Sequence, residues 1–256
     1  MTISLTDALG AQRGFVCLVG AGGKKSTMYA LAAAHRGRVL LSSTSHMYPY
    51  DRERVDQVVT LGDPQAPMPA TGDARVVAVA ADIGTTKRVG GLDAQRLREI
   101  ARERGFHVCV VKADGARARW IKAPGEYEPV IPGFATTVIP VVSVKVVGRP
   151  LDDRIAHRPE RLTALLGIAP GAPIEAGHVS ALLSHPRGAL QGVGQARVIP
   201  LINMVDDDEL HAIARGIART ALAQSDRFSA VVLACMKQGR IVEIVTRDDA
   251  PATAGG

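Results

Sequence analysis

Phe15-Val-Cys-Leu-Val-Gly-Ala-Gly-Gly-Lys-Lys-Ser-Thr27 joins an apolar, partly β-branched run to a glycine cluster, two lysines and two hydroxyls. A run that is apolar throughout suits a strand covered on both faces, as in a parallel sheet under helices. Gly20, Gly22 and Gly23 permit positive φ and let backbone amides approach a phosphate closely. The helical pattern that follows, Ser26 to Ala34, aims the positive end of its dipole at the same place. Lys24 or Lys25 supplies a cation for the β- and γ-phosphates, and Ser26 or Thr27 offers a hydroxyl to Mg²⁺. The spacing departs from G-x-x-x-x-G-K-[ST]. With Lys25 as the phosphate lysine, Lys24 stands where glycine belongs. With Lys24 in that role, Lys25 stands where a hydroxyl belongs. Gly23 directly before Lys24 favours Lys24. The plainer alternative is a glycine-rich strand-to-helix turn without a ligand.

The same alternation recurs along the chain. Strands are expected at 15–19, 38–41, 57–61, 75–80, 107–111, 136–142, 197–202, 229–234 and 241–245. Helices are expected at 26–34, 92–104, 159–166, 176–183 and 207–224. Strands alternating with helices predict an α/β, doubly wound, mainly parallel sheet with helices on both faces. The segments 63–73 and 114–133, rich in Pro, Gly and charge, read as irregular. From about Gly148 to Gly194 the strand pattern lapses, which suggests a helical insertion or subdomain within one α/β domain spanning 1–256. The end, from Asp248, reads as a frayed tail.

Composition narrows the class. With 256 residues, 46% apolar and 22% charged, the chain is an ordinary globular one with a sizeable core. No apolar run approaches the ~18 residues of a membrane span, and the N-terminus lacks the pattern of a secretory signal. The 4% of aromatic residues argues against a base-stacking nucleic-acid surface. The net charge of +6 is spread along the chain, as for a solvated surface or a pocket for an anion. Cys17, Cys109 and Cys235 each sit in an apolar run and form no CxxC pair, which fits buried thiols in a reducing cytoplasm.

Other residues carry chemistry in their pattern. Asp114 follows the strand at 107–111, where a carboxylate associated with Mg²⁺ belongs. Asp82 competes for that place, and Asp-Gly is also a turn signal. Arg117, Arg119, Lys122, Glu126 and Glu128 follow, with Trp120 among them. They suit a phosphate or another acidic ligand, or a charged surface loop. His157, Arg158 and Glu160 offer an acid, base or ligand, or simply the start of a helix with Pro159 at its first position. The hydroxyls of 42–46 can contact a ligand or make local turns. Asn203-Met-Val-Asp206 is similar to the N-K-x-D motif that reads guanine, with Met204 replacing lysine. Asp206 is equally suited to cap a helix.

Three blocks together resemble one family. GAGGKKST, the segment Ala113-Asp-Gly-Ala through Lys122-Ala-Pro to Glu126-Tyr-Glu-Pro-Val-Ile-Pro132, and His157-Arg-Pro-Glu160 are similar, in order and spacing, to the YqeC family. The resemblance runs from Phe15 to about Ala223. It departs at Lys25, where the family usually has threonine, and at Tyr127, where histidine is expected. The first departure moves the Mg²⁺ hydroxyl to Ser26. The resemblance implies a P-loop-like fold and an accessory role in maturing the cofactor of selenium-dependent molybdenum hydroxylases.

The resulting expectation is a cytoplasmic, Mg²⁺-dependent nucleoside triphosphatase that binds ATP or GTP. Its partners would be a molybdenum cofactor and an apo-hydroxylase, with no nucleic acid or membrane. Lys24, Asp114 and His157 would be catalytic, and Ser26 and Asp114 would hold Mg²⁺. Gly20, Gly22, Gly23, Lys25, Thr27, Arg117, Lys122, Glu128, Arg158, Asn203 and Asp206 would bind the ligand. The alternatives are a non-hydrolysing chaperone of a pterin cofactor and an ATP-dependent ligase or kinase acting on a small acid.

Overall fold

The computed structural model describes residues 3–249. In chain order its first half holds α1 (Leu5–Ala8), β1 (Gly14–Gly20), α2 (Lys24–Ala34), β2 (Val39–Ser43), β3 (Gln57–Leu61), β4 (Val76–Ala81), α3 (Ala94–Glu103), β5 (Val108–Lys112) and β6 (Ile121–Lys122). The second half holds β7 (Thr137–Ser143), β8 (Ala156–His157), α4 (Pro159–Leu166), α5 (Ala176–Ser184), β9 (Arg197–Val198), β10 (Leu201–Asn203), α6 (Asp208–Gln224), β11 (Ala230–Cys235) and β12 (Arg240–Thr246).

One mixed sheet carries the fold, in the order β12-β11-β10-β7-β1-β5-β2-β4-β3, with β9 beside β7. Every pairing in it is parallel except β11 with β12. β1 lies at the centre because both of its faces are apolar. Val16 and Leu18 pack with Met28 and Leu31 of α2. Cys17 and Val19 join the opposite core with Leu97 of α3, Leu182 of α5 and Ile217 of α6. Helices therefore cover both faces, and each fully buried Val or Leu contributes about 1.5–3 kcal/mol. The chain winds outward from β1 in both directions, so the ends of β1, β5, β2, β7 and β10 share one edge of the sheet. Open parallel sheets bind ligands beyond that edge.

The main differences from expectation are local. The run at 197–202 splits into β9 and β10 because Pro200 has no N–H for the ladder. Its carbonyl still accepts from Val232 N at 2.9 Å. α2 starts two residues early, because Gly23 takes the N-cap position. α1, β6 and β8 were not expected. The segment 148–194 contributes α4 and α5, whose Leu162, Val179 and Leu183 share a core with the sheet. Arg247–Asp249 form a short 3₁₀ turn, and the rest of the expected tail lies outside the described residues. Among the described residues no helix is long and apolar enough to cross a membrane.

Candidate functional site

The turn from β1 into α2 is held open by its surroundings. Gly22 has φ 90°, and a Cβ there would lie 2.5 Å from Ser143 N and 2.8 Å from Trp120 O. Gly23, at φ 131°, presses against the side chain of Asn203. Only glycine fits either position. Asn203 Nδ2 donates to Gly22 O at 2.8 Å, and Asn203 Oδ1 accepts from Met236 N at 2.9 Å. Ala21 N and Gly22 N are used by Val141 O and Arg119 O at 2.9 and 3.0 Å. No side chain caps α2. Among the described residues, the backbone amides of Gly23, Lys24, Lys25 and Ser26 donate to no protein acceptor. Helices leave their first amides free in this way, and an anion is their natural partner.

Behind the turn lies a buried charge network. Asp114, 1% exposed, accepts from Gly20 N at 3.0 Å. Its two oxygens lie 2.8 Å from Lys24 Nζ and 3.1 Å from Lys122 Nζ. Lys24 and Lys122 are themselves 5% and 3% exposed. Lys24 Nζ also donates to Gly20 O. Burial alone would raise the Asp114 pKa, but the two lysines and the Gly20 amide outweigh it and keep the carboxylate ionised. Lys122 Nζ and Arg158 Nη1 both reach Glu128 Oε2 at 2.8 Å. β6 and β8 form a two-stranded parallel ladder with Lys122 opposite His157. That ladder is what brings the 114–128 and 157–160 segments together over the phosphate turn.

The cleft between these parts has a volume of about 510 Å³. Gly22–Ser26 line it together with Lys112, Arg117, Arg119, Trp120, His157 and Arg158, among others. The non-glycine residues at positive φ among those described are Arg117, Ala118, Arg158 and Met204, and all four line this cleft. Such conformations cost of order 1–3 kcal/mol each and persist where the surroundings enforce them. Desolvation, reinforced by nearby Lys24, lowers the Lys112 pKa to about 8. Desolvation, with Lys122 and Arg158 beside it, lowers that of His157 to about 4, so its imidazole is neutral at pH 7.

Other expected residues are placed elsewhere. Thr27 Oγ1 donates back to Gly23 O at 3.1 Å and is buried. Lys25 Nζ reaches Pro49 O at 2.6 Å from the cleft wall. Asp206 lies outside the cleft lining, pairing with Lys145 Nζ at 2.5 Å and accepting from Cys235 Sγ at 3.0 Å. The N-cap of α6 is Asp207, which accepts from Leu210 N at 2.8 Å. Asp82 is exposed and accepts from Gly84 N at 2.8 Å in a local turn. Glu126 is exposed. Ser26 lines the cleft, whereas Asp114 is turned to its lysines. Among the described residues no three His, Cys, Asp or Glu side chains gather as a metal site. Lys112, Arg88 and Tyr48 are cleft residues that the sequence patterns did not single out. Lys112 ends a strand whose pattern stops at Val111, and Arg88 and Tyr48 lie in coil.

Comparisons with known proteins agree with the motif blocks. The family model described as YqeC protein matches residues 16–160. A protein of Escherichia coli (strain K12), named uncharacterized protein YqeC, is 30% identical over 231 residues, covering 87% of this chain and 89% of its own. The phosphate turn, the 114–128 segment and the 157–160 segment all fall inside the matched region, and the chain belongs to the YqeC family.

Proposed function

We propose that the chain is a P-loop-type protein whose β1–α2 turn binds the phosphates of a nucleoside triphosphate, ATP or GTP. The single observation that carries this reading is the row of four unengaged amides, Gly23 to Ser26, at an uncapped helix start with Lys24 beneath it. Each hydrogen bond from such a donor to a charged phosphate is worth about 1.5–3 kcal/mol. Lys24 is drawn from Gly20 O and Asp114 towards the ligand. Lys122 stays beside Asp114, so the buried carboxylate is not left without a counter-charge. Asn203 braces the turn from behind rather than reading a base. Mg²⁺ enters as part of the substrate, carried on the triphosphate, with the Ser26 hydroxyl at hand.

The family resemblance supports a role in maturing the cofactor of a selenium-dependent molybdenum hydroxylase, with that apo-enzyme as partner. Three unpaired, buried cysteines suit a cytoplasmic setting. The test is calorimetric titration with ATP and GTP, with and without Mg²⁺, followed by measurement of phosphate release. Binding, with phosphate released from nucleotide alone, identifies a triphosphatase. Release only with an added acid identifies a transferase. Absence of binding by either triphosphate contradicts the reading.

A further inference from the structure

The triphosphate reading uses one half of the cleft. Beside the phosphate turn, the end of β5 contributes Lys112, in register with Leu18 of β1 and donating to Ser45 Oγ at 2.9 Å. One strand further out, Tyr48 is 53% exposed with the Arg88 guanidinium 4.7 Å from its ring centre. Counting the whole lining, seven Lys and Arg side chains face one acid, Glu128. Glu128 is already matched by Lys122 and Arg158. A nucleoside triphosphate brings about four negative charges at neutral pH, and fewer net charges with a divalent cation. Cations are left over.

Two of them have no other employment. Arg117 and Arg119 form no side-chain hydrogen bond or ion pair among the described residues. Arg117 is nevertheless fixed in left-handed backbone, at φ 45°, next to Ala118 at φ 59°. Both residues are exposed, so burial in the core does not impose that conformation. Strain that aims an unpaired guanidinium into a cleft belongs to a site prepared for an anion.

We infer that the outer half of the cleft, walled by Lys112, Arg117, Arg119 and Arg158, is a second subsite that binds a small acid through its phosphate or carboxylate group, beside the nucleotide. The inference rests on the preceding reading for what fills the inner half. The acid's charged group meets the arginines, and the Tyr48 ring with Arg88 closes over the less polar part. His157, neutral at pH 7, lines the same cleft and adds no charge to it.

The test is calorimetry with inorganic phosphate and with succinate, on wild type saturated with ADP, on Lys24→Ala without nucleotide, and on the Arg117→Ala/Arg119→Ala double variant. The inference expects one of the two acids to bind the ADP-saturated protein and the Lys24→Ala protein alike. Its affinity should fall at least tenfold more than that of ADP in the double variant. Phosphate binding and succinate binding separate the two kinds of acid. An acid that binds Lys24→Ala, with no binding of ADP to wild type, would refute the nucleotide reading and keep the subsite. Displacement of ADP by both acids, equal losses in the double variant, or binding of neither acid would overturn the subsite.

Discussion

The turn from β1 into α2 and the turn from β10 into α6 lie on the same edge of the sheet, two strands apart. Each follows a buried parallel strand and starts a helix. In the first, glycine stands at the N-cap, lysines open the helix, and four amides are unengaged. In the second, Asp207 caps the helix, Asp208 and Glu209 fill its first turn, and Asp206 is tied to Lys145 and Cys235. The acids of α6 satisfy its dipole from within the chain. α2 leaves that to a ligand. Position at the carboxyl edge of a sheet thus marks where a site can be, and the residues at the helix start decide whether there is one. The two turns are also joined, since Asn203 at the end of β10 holds the Gly22 carbonyl.

The comparison is broken most severely at Gly23. Gly23→Ala sets a methyl group against Asn203 at a φ of 131°. We expect about a hundredfold loss of triphosphate affinity, with about 1–3 kcal/mol of stability lost in urea unfolding. Lys24→Ala comes next. It should weaken triphosphate binding by about 1.5–3 kcal/mol in calorimetry, whereas Lys25→Ala should cost less. A silent Lys24→Ala would shift the phosphate lysine to Lys25.

Changes at the closed turn should move stability and spare binding. Asp207→Ala removes the cap and should cost about 1 kcal/mol in urea unfolding. Asp206→Asn touches a partly exposed ion pair, worth at most about 1 kcal/mol, and the hydrogen bond from Cys235 Sγ, and should leave the preference between ATP and GTP unchanged. A preference altered by Asp206→Asn would return that residue to base recognition. The smallest effect is on pH. Lys112, with its pKa lowered to about 8, is charged below that value and neutral above it. Anion affinity should therefore weaken severalfold between about pH 7 and 9, where a bound phosphate no longer gains charge. Lys112→Arg should flatten the profile.

Much of this was legible because of burial. The 57–61 strand and the 159–166 helix match the structure to the residue. Inner strands such as 76–81 are written as unbroken apolar runs, the edge strand 57–61 as a short β-branched run with Thr60 exposed, and Pro159 marks a helix start. The phosphate turn was legible because three glycines in four residues have few other uses. Pieces whose pairing depends on distant chain were not. β6 and β8 have two residues each and exist only because 121–122 meets 156–157. Their sequences carry no period to detect. The same ladder turns a charged loop into a wall of the cleft, which no spacing along the chain could reveal. Asp114 stood out as a carboxylate after a strand, but its two lysines lie 90 residues before and 8 residues after it. That separation hid its employment as their counter-ion. For Asn203 and Asp206, motif likeness was legible, while the hydrogen bonds that engage both are tertiary.

Amide hydrogen exchange at the two turns, with and without ATP and Mg²⁺, tests the central claim most directly. The account predicts that ATP slows exchange at Gly23–Ser26, where the amides are unengaged, and leaves Asp207–Leu210 unchanged. Unaltered exchange at Gly23–Ser26 under saturating ATP, or protection confined to the β10–α6 turn, would contradict it.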